Sequence, residues 1–331
     1  MSQASSSADK RIAVFEKFAH PVTADILGRD HSITIDMLQL SDSDAENWQA
    51  LSAAHGYQIR AARDELPDQF FANGEFMARC PNMLVVSSMG AGFDTVDLDA
   101  CTAAGVIAVN QAGGNAEAVA EHALGLMLTL SKRVGETDQF MRGQDGIERN
   151  AYMGRNIQGK TLGIIGMGRV GQTLARCARG FEMDIIYYNR TRLSPDLEQG
   201  AVYYDNLDDV LPKCDVLSLN CPVTDETRGF FNEERINQLS PGTIFVNTAR
   251  GALVDEAALV AALKSGHIAA AGLDVYINEP GGNLDLAALP NTFLLPHIGS
   301  ANKETRDAMG FRALDNLDAY FAGNPPGDRV A

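Results

Sequence analysis

The stretch Thr161–Gly171, TLGIIGMGRVG, decides the fold. An apolar run, TLGII, ends in Gly166, Gly168 and Gly171, spaced as GxGxxG, and a helical pattern follows. A glycine string alone is a weak signal, but directly between a strand and a helix it describes a phosphate loop. Gly166 allows the tight turn, Gly168 lets backbone approach a pyrophosphate, and Gly171 lets the helix lie close on its strand. The N–H groups at the start of that helix then face the anion.

Working outward, strand and helix patterns alternate along nearly the whole chain, which predicts an α/β fold with parallel sheets. Before the loop, RIAVFEK, ITIDMLQL, YQIRAA, MLVVSSMG and VIAVN read as strands. After it come MDIIYYN, VLSLNCP, TIFVNTA, AAAGLDVY and TFLLPH. Residues 115–133 predict a long helix capped by Asn115, with Glu117 matching the dipole in its first turn. Its apolar side chains cover nearly every face, so it must be buried on several sides. A last amphipathic helix spans about 301–321. Trp48, the single tryptophan, falls in a predicted surface helix.

Bulk properties narrow the function. A length of 331 residues suggests two domains. The net charge of -16 argues against nucleic acid, which needs clustered cations. It leaves room for a small anionic substrate met by a few local cations. Cys80, Cys101, Cys177, Cys214 and Cys221 are scattered without metal spacing, which suits reduced thiols in the cytoplasm. No signal-peptide or membrane-span pattern is read: MSQASSSADKR lacks an apolar core, and AVAEHALGLMLTL is too short and contains Glu121 and His122.

The strand MDIIYYN ends in Asn189, followed by Arg190, Thr191 and Arg192. An acid at that point would bind the ribose diol of NAD. Here two guanidinium groups and a hydroxyl suit a 2′-phosphate instead, so NADP(H) is expected over NAD(H), with NAD(H) still possible. Near the other end stand Arg250, Glu279 and His297. An arginine fork suits a substrate carboxylate, an imidazole suits proton transfer to a carbonyl oxygen, and an acid beside it tunes its basicity. Together they point to hydride transfer between a nicotinamide and a small 2-keto or 2-hydroxy acid. His20, His31, His55, His122 and His267 form no cluster and read as structural.

SMGAGFDTVDLDAC, EAVAEHALGLML, GKTLGIIGMGRVG, VNTARGALVDEAAL, AGLDVYINEP and LLPHIGSA occur in that order. In these segments the chain resembles the D-isomer-specific 2-hydroxyacid dehydrogenases over essentially its whole length. Asn-Arg-Thr-Arg is similar to the NADPH-dependent glyoxylate/hydroxypyruvate reductases of that family. The resemblance implies two Rossmann-like domains, with a dinucleotide-binding domain at 111–299 inserted into a substrate domain of 1–110 and 300–331. It implies a homodimer through 115–145. It implies that Ala91, Gly92 and Ser300 touch the substrate with Arg250. It also implies that Arg169, Val170, Cys221, Pro222, Thr248, Asp274 and His297 join the glycines and residues 189–192 at the cofactor, Asp274 at the carboxamide. Arg60 and Arg63 stand where some relatives recruit a substrate cation, but the local spacing departs and the role is not carried over. Some hydroxypyruvate reductases use a tryptophan after the long helix, and none is present there. Alternatives are a phosphoglycerate dehydrogenase, a nucleotide-sensing corepressor of the same fold, and, less well matched, a formate dehydrogenase, which carries Gln in place of Glu279.

Overall fold

The computed structural model describes residues 10–18, 23, 25, 27, 33–143 and 148–331. His20, His31, most of the N-terminal run and the end of the 115–145 region lie outside them. Two compact units are present: residues 1–115 with 301–331, and residues 116–300.

Unit 1 is built on a five-stranded parallel sheet of β1 (Arg11–Phe15), β2 (Thr34–Leu38), β3 (Gly56–Arg60), β4 (Val85–Met89) and β5 (Ile107–Val109), in the order β2-β1-β3-β4-β5. Both faces are covered, so the strands carry apolar residues on both sides. One face holds Ala13, Phe15, Tyr57, Ile59 and Val86. Helix α1 (Asp44–Ala53) belongs to that core through Trp48 and Leu51. Trp48 is therefore buried rather than on the surface expected for it, with the Arg79 guanidinium 3.4 Å over its ring. The other face holds Ile12, Val14, Val85 and Val109 against Leu314 and Leu317 of the C-terminal helix, Lys303–Phe321.

Unit 2 is a seven-stranded parallel sheet: β6 (Thr161–Ile165), β7 (Asp184–Tyr188), β8 (Val202–Tyr204), β9 (Val216–Leu219), β10 (Thr243–Asn247), β11 (Ile268–Leu273) and β12 (Thr292–Leu294). The order is β12-β11-β10-β9-β6-β7-β8. The chain winds outward one way from β6 and the other way from β9, so a topological switch point lies between those strands. Ligands of open parallel sheets bind at the carboxyl ends beside such a point. Helix α2 (Ala116–Ser131) covers part of one face: a Cβ on Gly272 of β11 would sit 3.1 Å from Leu126 and from Leu130. The cap expected from Asn115 is not made, and its Oδ1 is buried without a hydrogen-bond partner. The fold is the α/β architecture with parallel sheets expected from the sequence. Among the described residues no helix is long and apolar enough to cross a membrane, and no group of three or more His, Cys, Asp or Glu is placed to hold a metal.

Candidate active site

The glycine loop runs from β6 into helix α3 (Arg169–Arg179). Gly166 has φ of 99°, and a Cβ there would lie 2.7 Å from the Asn220 carbonyl carbon and the Cys221 nitrogen. The turn after β6 thus presses against the turn after β9, which only a glycine allows. A Cβ on Gly171 would meet the Gly166 oxygen at 2.5 Å. Gly168 has nothing within 4 Å of such a position, so the backbone is open there to an approaching group. Arg169 and Val170 open α3 at this point. Two buried oxygens nearby on the carboxyl ends of strands lack partners: Asn220 Oδ1 after β9 and Thr248 Oγ1 after β10. Orphaned polar atoms beside an open phosphate-type loop fit a bound dinucleotide. Cys221 and Pro222 continue the same segment, the former half-buried and the latter exposed.

Asn189, at the end of β7, turns inward: its Oδ1 accepts the Met167 N–H at 2.6 Å and so ties the strand end to the glycine loop. Arg190 and Thr191 are exposed. Arg192 is engaged from the protein side. Its Nε and Nη2 donate to both oxygens of Glu198 at 2.8 and 3.1 Å. The Tyr187 hydroxyl donates to the same carboxylate at 2.6 Å. Burial and that contact push the Tyr187 phenol up to about 12, while Arg192 holds Glu198 below the usual carboxylate range. Glu198 was not singled out from sequence, because it lies six residues from its arginine in an ordinary surface helix.

Arg250, Glu279 and His297 arise from three loops at the carboxyl ends of β10, β11 and β12. Asn247 shapes the first loop. Its Oδ1 accepts the Ala249 N–H at 3.0 Å, and its Nδ2 donates to the Arg250 carbonyl at 2.9 Å. Gly251 lets this loop meet the next one: a Cβ there would lie 1.9 Å from the Tyr276 carbonyl carbon. Glu279 spans both sides of the site. Oε1 accepts the Tyr276 N–H at 2.8 Å, and Oε2 lies 2.6 Å from His297 Nδ1. The Glu279–Pro280 peptide is cis.

The Glu279 side chain is 15% exposed and that of His297 35%. The hydrogen bond to Glu279 raises the His297 pKa above its ordinary value, with help from the charges of Glu279 and Asp274. Burial and Arg250 oppose the rise. The arrangement is a half-buried acid, an imidazole held by one nitrogen with the other left to act, and a guanidinium whose charge reaches that imidazole. Asp274 follows β11; its oxygens accept the N–H groups of Ile298 and Gly299 at 2.8 and 2.7 Å. Ser300 ends this segment and is half-buried.

In unit 1 the loop after β4 is organised through its carbonyls. Gln111 N–H donates to Gly90 at 2.9 Å, Asn110 Nδ2 to Ala91 at 2.8 Å, and Ser88 Oγ to Gly92 at 2.6 Å. The N–H groups of Ala91 and Gly92 make no hydrogen bond among the described residues. Arg60, at the end of β3, pairs with Glu16 at 3.1 Å.

A family description, the NAD binding domain of D-isomer specific 2-hydroxyacid dehydrogenases, matches residues 124–299, more than half the chain. A glycerate dehydrogenase of Hyphomicrobium methylovorum is 44% identical over 254 residues, 75% of this chain and 79% of that one. A glyoxylate reductase of Thermococcus litoralis is 39% identical over 264 residues, 77% and 79% of the two chains. The crystal structure of an NADPH-dependent glyoxylate/hydroxypyruvate reductase of Sinorhizobium meliloti, in complex with NADP and malonate, superposes with a TM-score of 0.84 at 31% identity, over 98% of this chain and 97% of that one. Matches of this extent, on a chain whose sheet switch point carries the glycine loop, place this oxidoreductase in the D-isomer specific 2-hydroxyacid dehydrogenase family.

Proposed function

We propose that this enzyme reduces a small 2-keto acid of the glyoxylate or hydroxypyruvate type to the D-2-hydroxy acid, with NADPH as the preferred cofactor. The observation that carries the reading is the Glu279–His297 contact at 2.6 Å on the same site as Arg250. The dinucleotide, when bound, supplies the hydride. His297, whose protonated form Glu279 favours, gives its proton to the carbonyl oxygen as charge develops there. Arg250 binds the carboxylate and polarises the carbonyl. The unpaired N–H groups of Ala91 and Gly92 are assigned to the substrate carboxylate, since consecutive free N–H groups favour an anion. Ser300 is assigned a lesser substrate contact.

For the cofactor, Gly166, Gly168, Arg169, Val170 and Gly171 are assigned the pyrophosphate, and Cys221, Pro222, Thr248 and Asp274 the rest of the dinucleotide. The 2′-phosphate falls to Arg190 and Thr191, because Arg192 is bound to Glu198. Unit 2 is thus the dinucleotide-binding domain and unit 1 the substrate domain. Exposed Val134, Met141 and Met153 beyond α2 support a homodimer formed through this region. All five cysteines are free, as suits a reducing, cytoplasmic compartment.

The test is consumption of NADPH and NADH by the purified protein with glyoxylate, hydroxypyruvate, pyruvate, phenylpyruvate and phosphohydroxypyruvate. Turnover of a small ketoacid, faster with NADPH, is expected. Turnover of phosphohydroxypyruvate alone would replace the reading with a phosphoglycerate dehydrogenase. Binding of nucleotide without any turnover would favour a sensing protein.

A further inference from the structure

His297 stands in the left-handed backbone region, with φ of 55°. Non-glycine residues are uncommon in that region, although histidine enters it more readily than most, so what holds the backbone there matters. The holding group is Asp274, whose two oxygens accept the two N–H groups that follow His297 in the chain. The Asp274 side chain is only 2% exposed. A carboxylate that deep tends to take up a proton unless a cation or several donors face it.

The facing side chain is His122, on the second turn of α2. Its Nε2 lies 3.4 Å from Asp274 Oδ1. That is too poorly aligned to count as a good hydrogen bond, and Nε2 is buried with no other partner. It is close enough for charge and proton position to matter. The ring also borders the held segment: a Cβ on Gly299 would lie 3.4 Å from His122 Cδ2 and 2.9 Å from Asp274 Oδ2. Burial alone would push the Asp274 carboxyl up. His122 and the N–H groups of Ile298 and Gly299 outweigh it and hold the carboxyl below its ordinary range. Asp274 in turn favours a protonated His297, alongside Glu279 and against Arg250.

We propose that His122 is a positioning residue for the reaction: facing Asp274, it keeps that carboxylate charged, and the carboxylate fixes the backbone that aims His297. This rests on the proposed function only in giving His297 the proton. It changes the structural role first read for His122 into a functional one at one remove from the chemistry.

The experiment compares wild type, H122L, H122Q, D274N and H122L/D274N in ketoacid reduction from acid to alkaline pH. H122L is expected to lose about tenfold in kcat at neutral pH, with the Kd for NADPH within about twofold of wild type. Its acid limb should move to higher pH, because Asp274 protonates more readily without His122 facing it. H122Q, which keeps a donor, should recover most of the rate. D274N should cost less in the H122L background than in wild type, the signature of coupled neighbours. A wild-type rate and acid limb in H122L, or additive losses in the double variant, would overturn the proposal. If H122L does not fold, H122N takes its place; a raised acid limb supports the proposal and an unmoved one overturns it. If wild type reduces no ketoacid, the functional reading falls by itself. The same cycle is then read on melting temperature, where coupling supports the His122–Asp274 link and additivity removes it.

Discussion

At the scale of single residues, the proposed reaction turns on the proton of His297. Replacing His297 by Ala should lower kcat by about 10² to 10⁴ while NADPH still binds, as steady-state kinetics and nucleotide titration would show. A near-normal rate would remove His297 from the reaction. The sign of the pH effect follows from Glu279. It raises the folded-state pKa of His297, so under the proposed mechanism reduction should be fastest with the imidazole charged and should fall as pH rises through that value. The stability gained from the pair is likewise present below the unfolded pKa of histidine and lost as pH rises through the folded one. In E279Q the alkaline limb of the kcat profile should move to lower pH; a limb that stays in place would exclude Glu279 as the tuning group. Arg250, Glu279 and His297 were legible in the sequence as candidates, because each sits in a short motif whose residue type suits a role in the proposed reaction. Asn247, Gly251 and His122 were not. Their importance lies in which distant backbone they touch, and no local pattern in the chain records that.

At the scale of elements, the loops at the strand ends hold the site together. The RG turn after β10 packs so closely on the β11 loop that an added methyl at Gly251 meets backbone at 1.9 Å. Gly251→Ala should therefore cost about 3 kcal/mol in denaturant unfolding, at the upper end for an overpacked position. It should also depress kcat, since relief requires Arg250 or the Glu279 loop to move. Unchanged stability and rate would show that the two loops part easily. In the proposed reading, the loop after β7 sets the cofactor preference. N189D with R190A should shift the NADPH/NADH ratio of kcat/KM toward NADH by tenfold or more, about 1.4 kcal/mol, by adding a diol acceptor and removing the phosphate cation. A ratio that does not move would place the 2′-phosphate elsewhere. The sequence showed two arginines here but not that Glu198 had already taken one, since the pairing depends on how the chain turns after Leu193. The Asn115 cap failed for a related reason: the residue type was right, but its buried oxygen takes no hydrogen bond from the helix.

At the scale of the whole molecule, the alternation of apolar runs and helical patterns made both parallel sheets legible, since strands covered on two faces read as continuous apolar runs. A ligand that binds the folded chain alone must stabilise it. NADPH at about a hundred times its Kd should add about 2.7 kcal/mol. NADH at the same concentration should add less in a thermal melt, because the increment follows the logarithm of concentration over Kd. Equal shifts from the two nucleotides would deny any preference. The division into units has one more consequence, for how the chain is made. The five strands of unit 1 are translated first, but the helix that covers Ile12, Val14, Val85 and Val109 comes last, after all of residues 116–300. At roughly 5–20 residues per second, that leaves this face of the nascent sheet without its C-terminal helix on the ribosome for about ten to forty seconds. The newborn chain is thus a natural client for chaperones that shield apolar surface, and a version permuted so that residues 301–331 lead should need them less.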